Sequence, residues 1–243
     1  MEQGEHGLAD ALDRLGEDLL LLSIRPRDGM IVTGSLISYG LMGSELIRLA
    51  ALGRVDVDDR HITVLNQIPT GDDELDAALA SLASGKPARP RTWVGRPRRR
   101  IRDEYLERLV KAGALRRESG GALGRKRWVV PPSARADQAR DRLDAIAYST
   151  GPVDLGQAAF GGLAHAIELD LYLYPRRANL SIRRRLAEIG SGKWTQAATD
   201  AVSSAARATA MATHASARAA TDAAMQAALQ ASMSAAIDSS DTP

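Results

Sequence analysis

The stretch SLISYGLMGSELIRLAALGRVDVDDRHITV, residues 35–64, decides the fold. Its first half carries Leu36, Leu41, Leu46, Ile47, Leu49 and Ala50 at helical spacing, which predicts an amphipathic helix from Ser35 to Leu52. Gly53 is the stop, since glycine tolerates the left-handed conformation that closes a helix. Beyond it, Val55 and Val57 pair with Ile62 and Val64 across Asp58-Asp59-Arg60-His61 as a β-hairpin.

The same order returns further along. A helix is predicted over Arg98 to Ala112, with Ile101, Tyr105, Leu106, Leu109 and Val110 inward and Arg98, Arg99, Arg102 and Arg108 toward solvent. Gly113 closes it, and Leu115 opens a second hairpin that returns through Trp128-Val129-Val130. Placing Gly53 on Gly113 brings Leu46 onto Leu106, Leu49 onto Leu109 and Val55 onto Leu115, a weak internal repeat with the local shape of a winged-helix wing.

Outward from these units, residues 1–16 read as a polar lead-in. Glu17 to Ile24 is an apolar helix stopped at Arg25-Pro26, and Asp28-Gly29 turns into a short strand Met30-Ile31-Val32. Thr70 is placed to cap the next helix with Asp73 three residues on, and Leu75, Ala78, Leu79 and Leu82 form its buried face. Three helical segments follow: Arg135 to Tyr148, Leu155 to about Leu173 with an interruption at Gly161-Gly162, and Pro175 to Ile189. From about residue 195 the chain is alanine-rich and helix-prone, and 238–243 is expected to be a disordered terminus. The expected architecture is mainly α: one domain over 17–237, a compact helical core with winged-helix-like helix/β-hairpin units and a projecting hairpin.

With a single Phe among 243 residues, the interior must be built from Leu, Ile, Val and Ala, which suits closely spaced helices. The absence of cysteine excludes disulfides, thiolate nucleophiles and cysteine-ligated zinc. The acidic start has no basic run followed by an apolar one and does not read as a secretory signal. No apolar run is long enough to span a bilayer; Leu19 to Leu22 is bounded by Asp18 and Arg25. Any membrane association is therefore expected to be peripheral, and the absence of cysteine is compatible with a cytoplasmic location.

Catalytic chemistry finds little support. His6, His61, His165 and His214 stand apart, with no partner at metal-ligand spacing. Gly120-Gly121-Ala122-Leu123-Gly124 leads into a strand and not into the helix that a phosphate loop needs, so it reads as a hairpin tip. Neither an enzyme nor a cofactor is expected.

The substantial signal is charge. Between Lys86 and Arg127 there are 15 Lys or Arg and 4 Asp or Glu, a local balance of +11 in a chain whose net charge is +2. The run includes Arg98, Arg99, Arg100, Arg102, Arg125, Lys126 and Arg127, with Trp93 among its neighbours. Arginine forks suit phosphate oxygens, and each basic residue near an anionic bilayer contributes on the order of 1 kcal/mol. The same residues would serve a nucleic-acid backbone or an acidic protein, so charge alone leaves those partners open.

Several stretches in this order resemble the Golgi phosphoprotein 3 family and its bacterial members. They are Glu17-Asp18-Leu19-Leu20-Leu21-Leu22; Gly40-Leu41-Met42-Gly43-Ser44-Glu45-Leu46 with Leu49 to Val55; Pro69-Thr70-Gly71-Asp72 with Leu75-Asp76; Ile101-Arg102-Asp103 with Leu109 to Leu115; and Leu163-Ala164-His165-Ala166. The resemblance implies a helical core with a projecting β-hairpin and no enzymatic activity; eukaryotic members are cytosolic peripheral proteins that bind phosphatidylinositol 4-phosphate and hold glycosyltransferase tails. Its lipid pocket combines a tryptophan and an arginine from one region with two arginines from a later helix start. Here the later pair matches Arg99 and Arg102, whereas the first pair falls on Thr33 and Met42. The arginine-rich, lysine-poor composition fits a bacterial gene.

The expected function is anionic-phospholipid docking. Arg99 and Arg102 would contact phosphate; Arg98, Arg100, Arg125, Lys126 and Arg127 would supply diffuse attraction; Leu123 at the hairpin tip would insert shallowly. The alternatives are a winged-helix-like nucleic-acid binder, less favoured because Asp56, Asp58 and Asp59 would repel a phosphate backbone, and an adaptor whose patch meets a protein partner or a second copy of the chain.

Overall fold

A run of Leu and Ile with two carboxylates in it becomes the pillar of the molecule. Helix α1 (Leu15–Ser23) is buried on nearly every side, with Leu15, Leu19 and Leu20 sealed from solvent. The computed structural model describes residues 12–190 apart from 59, 86, 121–124, 133 and 176–178. The lead-in up to residue 11, Leu123, the alanine-rich segment and the terminus at 238–243 lie outside the described residues.

Around α1 the chain lays down α2 (Leu36–Ala51), β1 (Val55–Val57), β2 (Ile62–Val64), α3 (Asp73–Ala83), α4 (Pro90–Val94), α5 (Ile101–Lys111), β3 (Arg116–Gly120), β4 (Arg125–Val129), α6 (Ala134–Ala147), α7 (Leu155–Ala166), α8 (Leu169–Leu173) and α9 (Leu180–Ile189). Helices α2, α5, α6 and α7 all pack on α1. The fold is mainly helical, with two small antiparallel hairpins, β1–β2 and β3–β4. In the first, Val55 pairs with Val64 and Val57 with Ile62, the pairing read from the alternation.

Both hairpins leave their helix by the same device. Gly53 and Gly113 have φ of 62° and 71°. After α2, Arg54 N–H donates to the Leu49 carbonyl (2.9 Å) and Gly53 N–H to that of Ala50 (3.0 Å); after α5, Ala114 N–H donates to Leu109 (3.0 Å) and Gly113 N–H to Val110 (3.0 Å). This is a Schellman closure in each case, with a left-handed residue satisfying the last carbonyls.

Four expectations are corrected. Met30-Ile31-Val32 forms no strand; Ile31 makes one bridge to Ile24 before the chain turns into α2. Gly161-Gly162 does not interrupt α7: a Cβ on Gly161 would press on Leu186 and Ile146, and one on Gly190 would lie 2.7 Å from the Gly162 Cα, so small residues there let α7 and α9 meet closely. The break falls at Ile167-Glu168, where Glu168 takes φ 62°. Val110 is exposed in the last turn of α5, whose buried face is Ile101, Tyr105, Leu106 and Leu109. Helix α3 is capped by Asp72 and not by Thr70, whose hydroxyl and N–H both donate to Asp76.

A candidate anion-docking site

Charge alone groups Arg98, Arg99, Arg100 and Arg102; geometry divides them. The turn that starts α5 puts Arg100 at φ 75°, a left-handed conformation that costs a non-glycine residue about 1 kcal/mol or more. No side chain caps this N-terminus. Arg99, Arg100 and Arg102 are exposed there. Arg100 reaches Glu107 at 3.2 Å and Arg102 lies 4.0 Å from Asp103, both loose, solvated contacts.

Arg98 turns the other way. Its side chain is 18% exposed and grips Glu45 of α2 with both terminal nitrogens, Nη2 to Oε1 at 2.9 Å and Nη1 to Oε2. Glu45 is 0% exposed. Burial pushes the Glu45 carboxyl up to about 7, against the pull of Arg98. The expectation that Arg98 faces solvent is therefore corrected: a carboxylate enclosed by the core requires a cation, and Arg98 supplies it.

Arg108, also expected in solvent, is tied into a network around Asp72. Asp72 accepts from Glu74 N–H and Leu75 N–H as the cap of α3, from Arg48 Nη2 of α2 at 2.8 Å, and from Arg108 Nη2 and Nη1 of α5 at 2.9 and 3.2 Å. Arg108 also meets Glu74 (2.5 Å) and Glu17 of α1 (2.7 Å), and Glu17 continues to Arg135 of α6. Arg142 of α6 reaches Asp18 of α1 at 3.1 Å. Burial opposes ionisation of Asp72, yet the Arg108 and Arg48 guanidiniums hold its carboxyl well below the usual carboxylate range. Arg48 and Arg108 occupy equivalent places before the two closing glycines, five residues ahead of each.

The second hairpin pairs Arg116 with Val129, Glu118 with Arg127, Ser119 with Lys126 and Gly120 with Arg125. Its base is riveted to the loop after α1. Gly29 at φ 68° lies so close to the Trp128 backbone that a Cβ would overlap it, and Arg127 Nη2 donates to the Pro26 and Arg27 carbonyls at 3.4 and 3.1 Å. The side chains of Arg125 and Lys126 lie outside the described residues, as does Leu123.

Met42 is sealed in the core beside α1. Thr33 lies on the wall of a cleft of about 510 Å³ with Arg25, Met30, Leu171 and Tyr172, a cleft that includes neither Arg99 nor Arg102. Its buried hydroxyl has no hydrogen-bond partner. His61 sits on the exposed hairpin turn, and His165 Nδ1 lies 2.8 Å from Asp170 Oδ2. Among the described residues no group of three or more His, Asp or Glu is placed to hold a metal ion, and no helix is long and apolar enough to cross a membrane.

Sequence reasoning names Glu45 and Asp72 only within the stretches that carry the resemblance and gives neither an arginine to hold. Glu45 had a visible signal, a carboxylate in the middle of an apolar helix stripe. Asp72 had only its place after Thr70-Gly71.

A helical protein, two hairpins each launched from a glycine-closed helix, and an arginine-lined helix start together define the class. The model of the Golgi phosphoprotein 3 (GPP34) family matches residues 15–235, and the chain belongs to that family. A comparison with curated proteins finds no match. The stretches around Glu17-Asp18 and Thr70-Gly71-Asp72 meet in the one ion network, so they hold the scaffold.

Proposed function

We propose that this protein is a non-catalytic, peripheral membrane protein of the cytoplasm that docks on anionic phospholipid through the start of α5 and the β3–β4 hairpin. The carrying observation is the uncapped α5 N-terminus, with Arg99, Arg100 and Arg102 exposed around it and the backbone held left-handed at Arg100. Unsatisfied first-turn amides and the helix dipole favour an anion, and three guanidiniums add directed donors. Arg99 and Arg102 contact phosphate; Arg100, Arg125, Lys126 and Arg127 supply attraction; Leu123 enters the interface. Arg98 contributes less than its position suggests, because Glu45 occupies it.

Family membership supports this reading, and the departures at Thr33 and Met42 favour general anion docking over a selective phosphoinositide pocket. In a bacterial setting the anionic lipid would be a bulk phospholipid. Co-sedimentation with vesicles of phosphatidylcholine alone or mixed with phosphatidylglycerol tests it. Binding to the anionic vesicles only, lost by about tenfold in Arg99→Ala/Arg102→Ala, is expected; equal binding to both vesicle types, or no effect of the double change, overturns it. Tight, sequence-selective competition by duplex DNA would favour a winged-helix-like nucleic-acid binder, which the carboxylates of Asp56 and Asp58 on the first hairpin disfavour.

A further inference from the structure

Arg98 stands between two carboxylates in opposite settings. Glu45 of α2 lies inside, sealed from solvent, and accepts from both terminal nitrogens of the guanidinium. Glu104 of α5 lies outside, its side chain 39% exposed, and meets Arg98 Nη2 at 3.5 Å. The residues that follow Arg98, Arg99 and Arg100, are exposed at the uncapped start of α5. A single inward-turned cation therefore separates an enclosed acid from the proposed anion-docking site.

A buried carboxylate keeps its charge only while a cation answers it, and a cation as enclosed as Arg98 needs a counterion in turn. Once Glu45 takes up a proton, that counterion is gone. The guanidinium then keeps one long contact with Glu104 and gains by turning toward solvent or toward a phosphate, whose oxygens match its fork. The charge of this corner rises by one wherever the side chain settles.

We propose that the Glu45–Arg98 clamp is a proton-operated switch on the anion-docking site: protonation of Glu45 releases Arg98 to the phosphate ligand, so docking tightens as pH falls. This rests on the docking reading above and adds its regulation.

The groups around Glu45 leave its state to the clamp. Arg48 on α2, Glu74 on α3 and Tyr105 on α5 act on it through space. Arg48 is committed to Asp72, and Glu74 to Arg108. From α1, Glu17 turns to Arg108 and Arg135, and Asp18 to Arg142. Helix α7 carries only His165, held by Asp170, while Arg91 of α4 and Asp56 of β1 are exposed. Burial pushes the Glu45 carboxyl up to about 7 against the pull of Arg98, which brings the proton exchange close to neutrality. The negative potential of an anionic bilayer also concentrates protons at its surface, by about half a pH unit, and so tips the switch where the ligand is. By linkage, docking must itself draw a proton onto Glu45.

The full-length wild type and Glu45→Gln are compared on phosphatidylglycerol-containing vesicles from about pH 6 to about pH 8, each with a thermal melt. The wild type should bind about fivefold more tightly at the acid end, and Glu45→Gln should match that tighter binding throughout. Contributions from other titrating groups are shared by both proteins and cancel in the comparison. Glu45→Gln/Arg98→Gln, with neither a proton to bind nor a cation to release, should bind weakly at both ends. Calorimetry of vesicle binding at neutral pH, in two buffers of different ionisation enthalpy, should show proton uptake by the wild type and less by Glu45→Gln. A pH slope unchanged in Glu45→Gln overturns the inference and leaves the docking reading standing. So does vesicle binding by the wild type without proton uptake, a readout that needs no variant. Absence of vesicle binding at every pH overturns the reading and the inference together.

Discussion

Glu45 shows how one residue couples the core to the start of α5. It is enclosed in α2, and burial raises its carboxyl from 4.5 to about 7 despite the Arg98 clamp. A folded-state value above the unfolded one means that the folded protein binds this proton more tightly. The resulting stabilisation is complete below 4.5 and is lost as pH rises through about 7. Asp72 acts in the opposite sense and in a separate window: its contribution is present above 3.8 and is lost as pH falls further. Thermal melts between pH 4.5 and pH 8 should show stability declining with pH in the wild type and a flatter dependence in Glu45→Gln. An unchanged slope in the variant would show that Glu45 does not titrate in this window.

At the scale of elements, the packing of α1 is the sensitive joint. Gly16 brings α1 against α2 and α5 so closely that a Cβ would lie 2.7 Å from both Ser44 Oγ and Tyr105 Cε1. Gly16→Ala gains about 1 kcal/mol of helix propensity but overpacks a buried three-helix contact, which costs about 1–3 kcal/mol. The net expectation is a lower urea midpoint; a raised one would mean that α1 shifts at no cost. Elements such as α2, α3 and both hairpins were legible in the sequence because their signals are local: periodic Leu and Ile, a closing glycine, alternation across a turn. Helix α4 was not, since Pro90-Arg91-Thr92-Trp93-Val94 is too short to show a period. Gly161-Gly162 misled for a different reason, because only the partner helix α9 reveals that those glycines serve close approach. The candidate site was half legible. Arg99 and Arg102 stand where the pattern put them, whereas the fate of Arg98 and Arg108 depends on carboxylates 53 and 36 residues away in sequence.

For the molecule as a whole, the proposed docking is electrostatic with an apolar supplement. Raising ionic strength should weaken vesicle binding steeply but incompletely, since screening acts on exposed arginines and leaves inserted side chains untouched. Binding that is indifferent to salt would contradict a basic docking face. The network at Asp72 carries a consequence of another kind, in rates. Its partners lie 24 and 36 residues away along the chain, on α2 and α5, while Asp72 itself begins α3. Contacts of such span close only after the helices have docked, so they stabilise the native state more than the folding barrier. Breaking the clasp with Asp72→Asn leaves the buried Arg48 with only the exposed Asp13, at 3.5 Å, as a carboxylate partner, at a cost of about 3 kcal/mol. Nearly all of that should emerge as unfolding roughly a hundredfold faster, with refolding almost unchanged, in stopped-flow denaturant jumps. A loss confined to the refolding arm would place the clasp among the earliest contacts. In the expected case, Asp72 sets the lifetime of the folded protein: the three helices part only when one carboxylate releases two arginines.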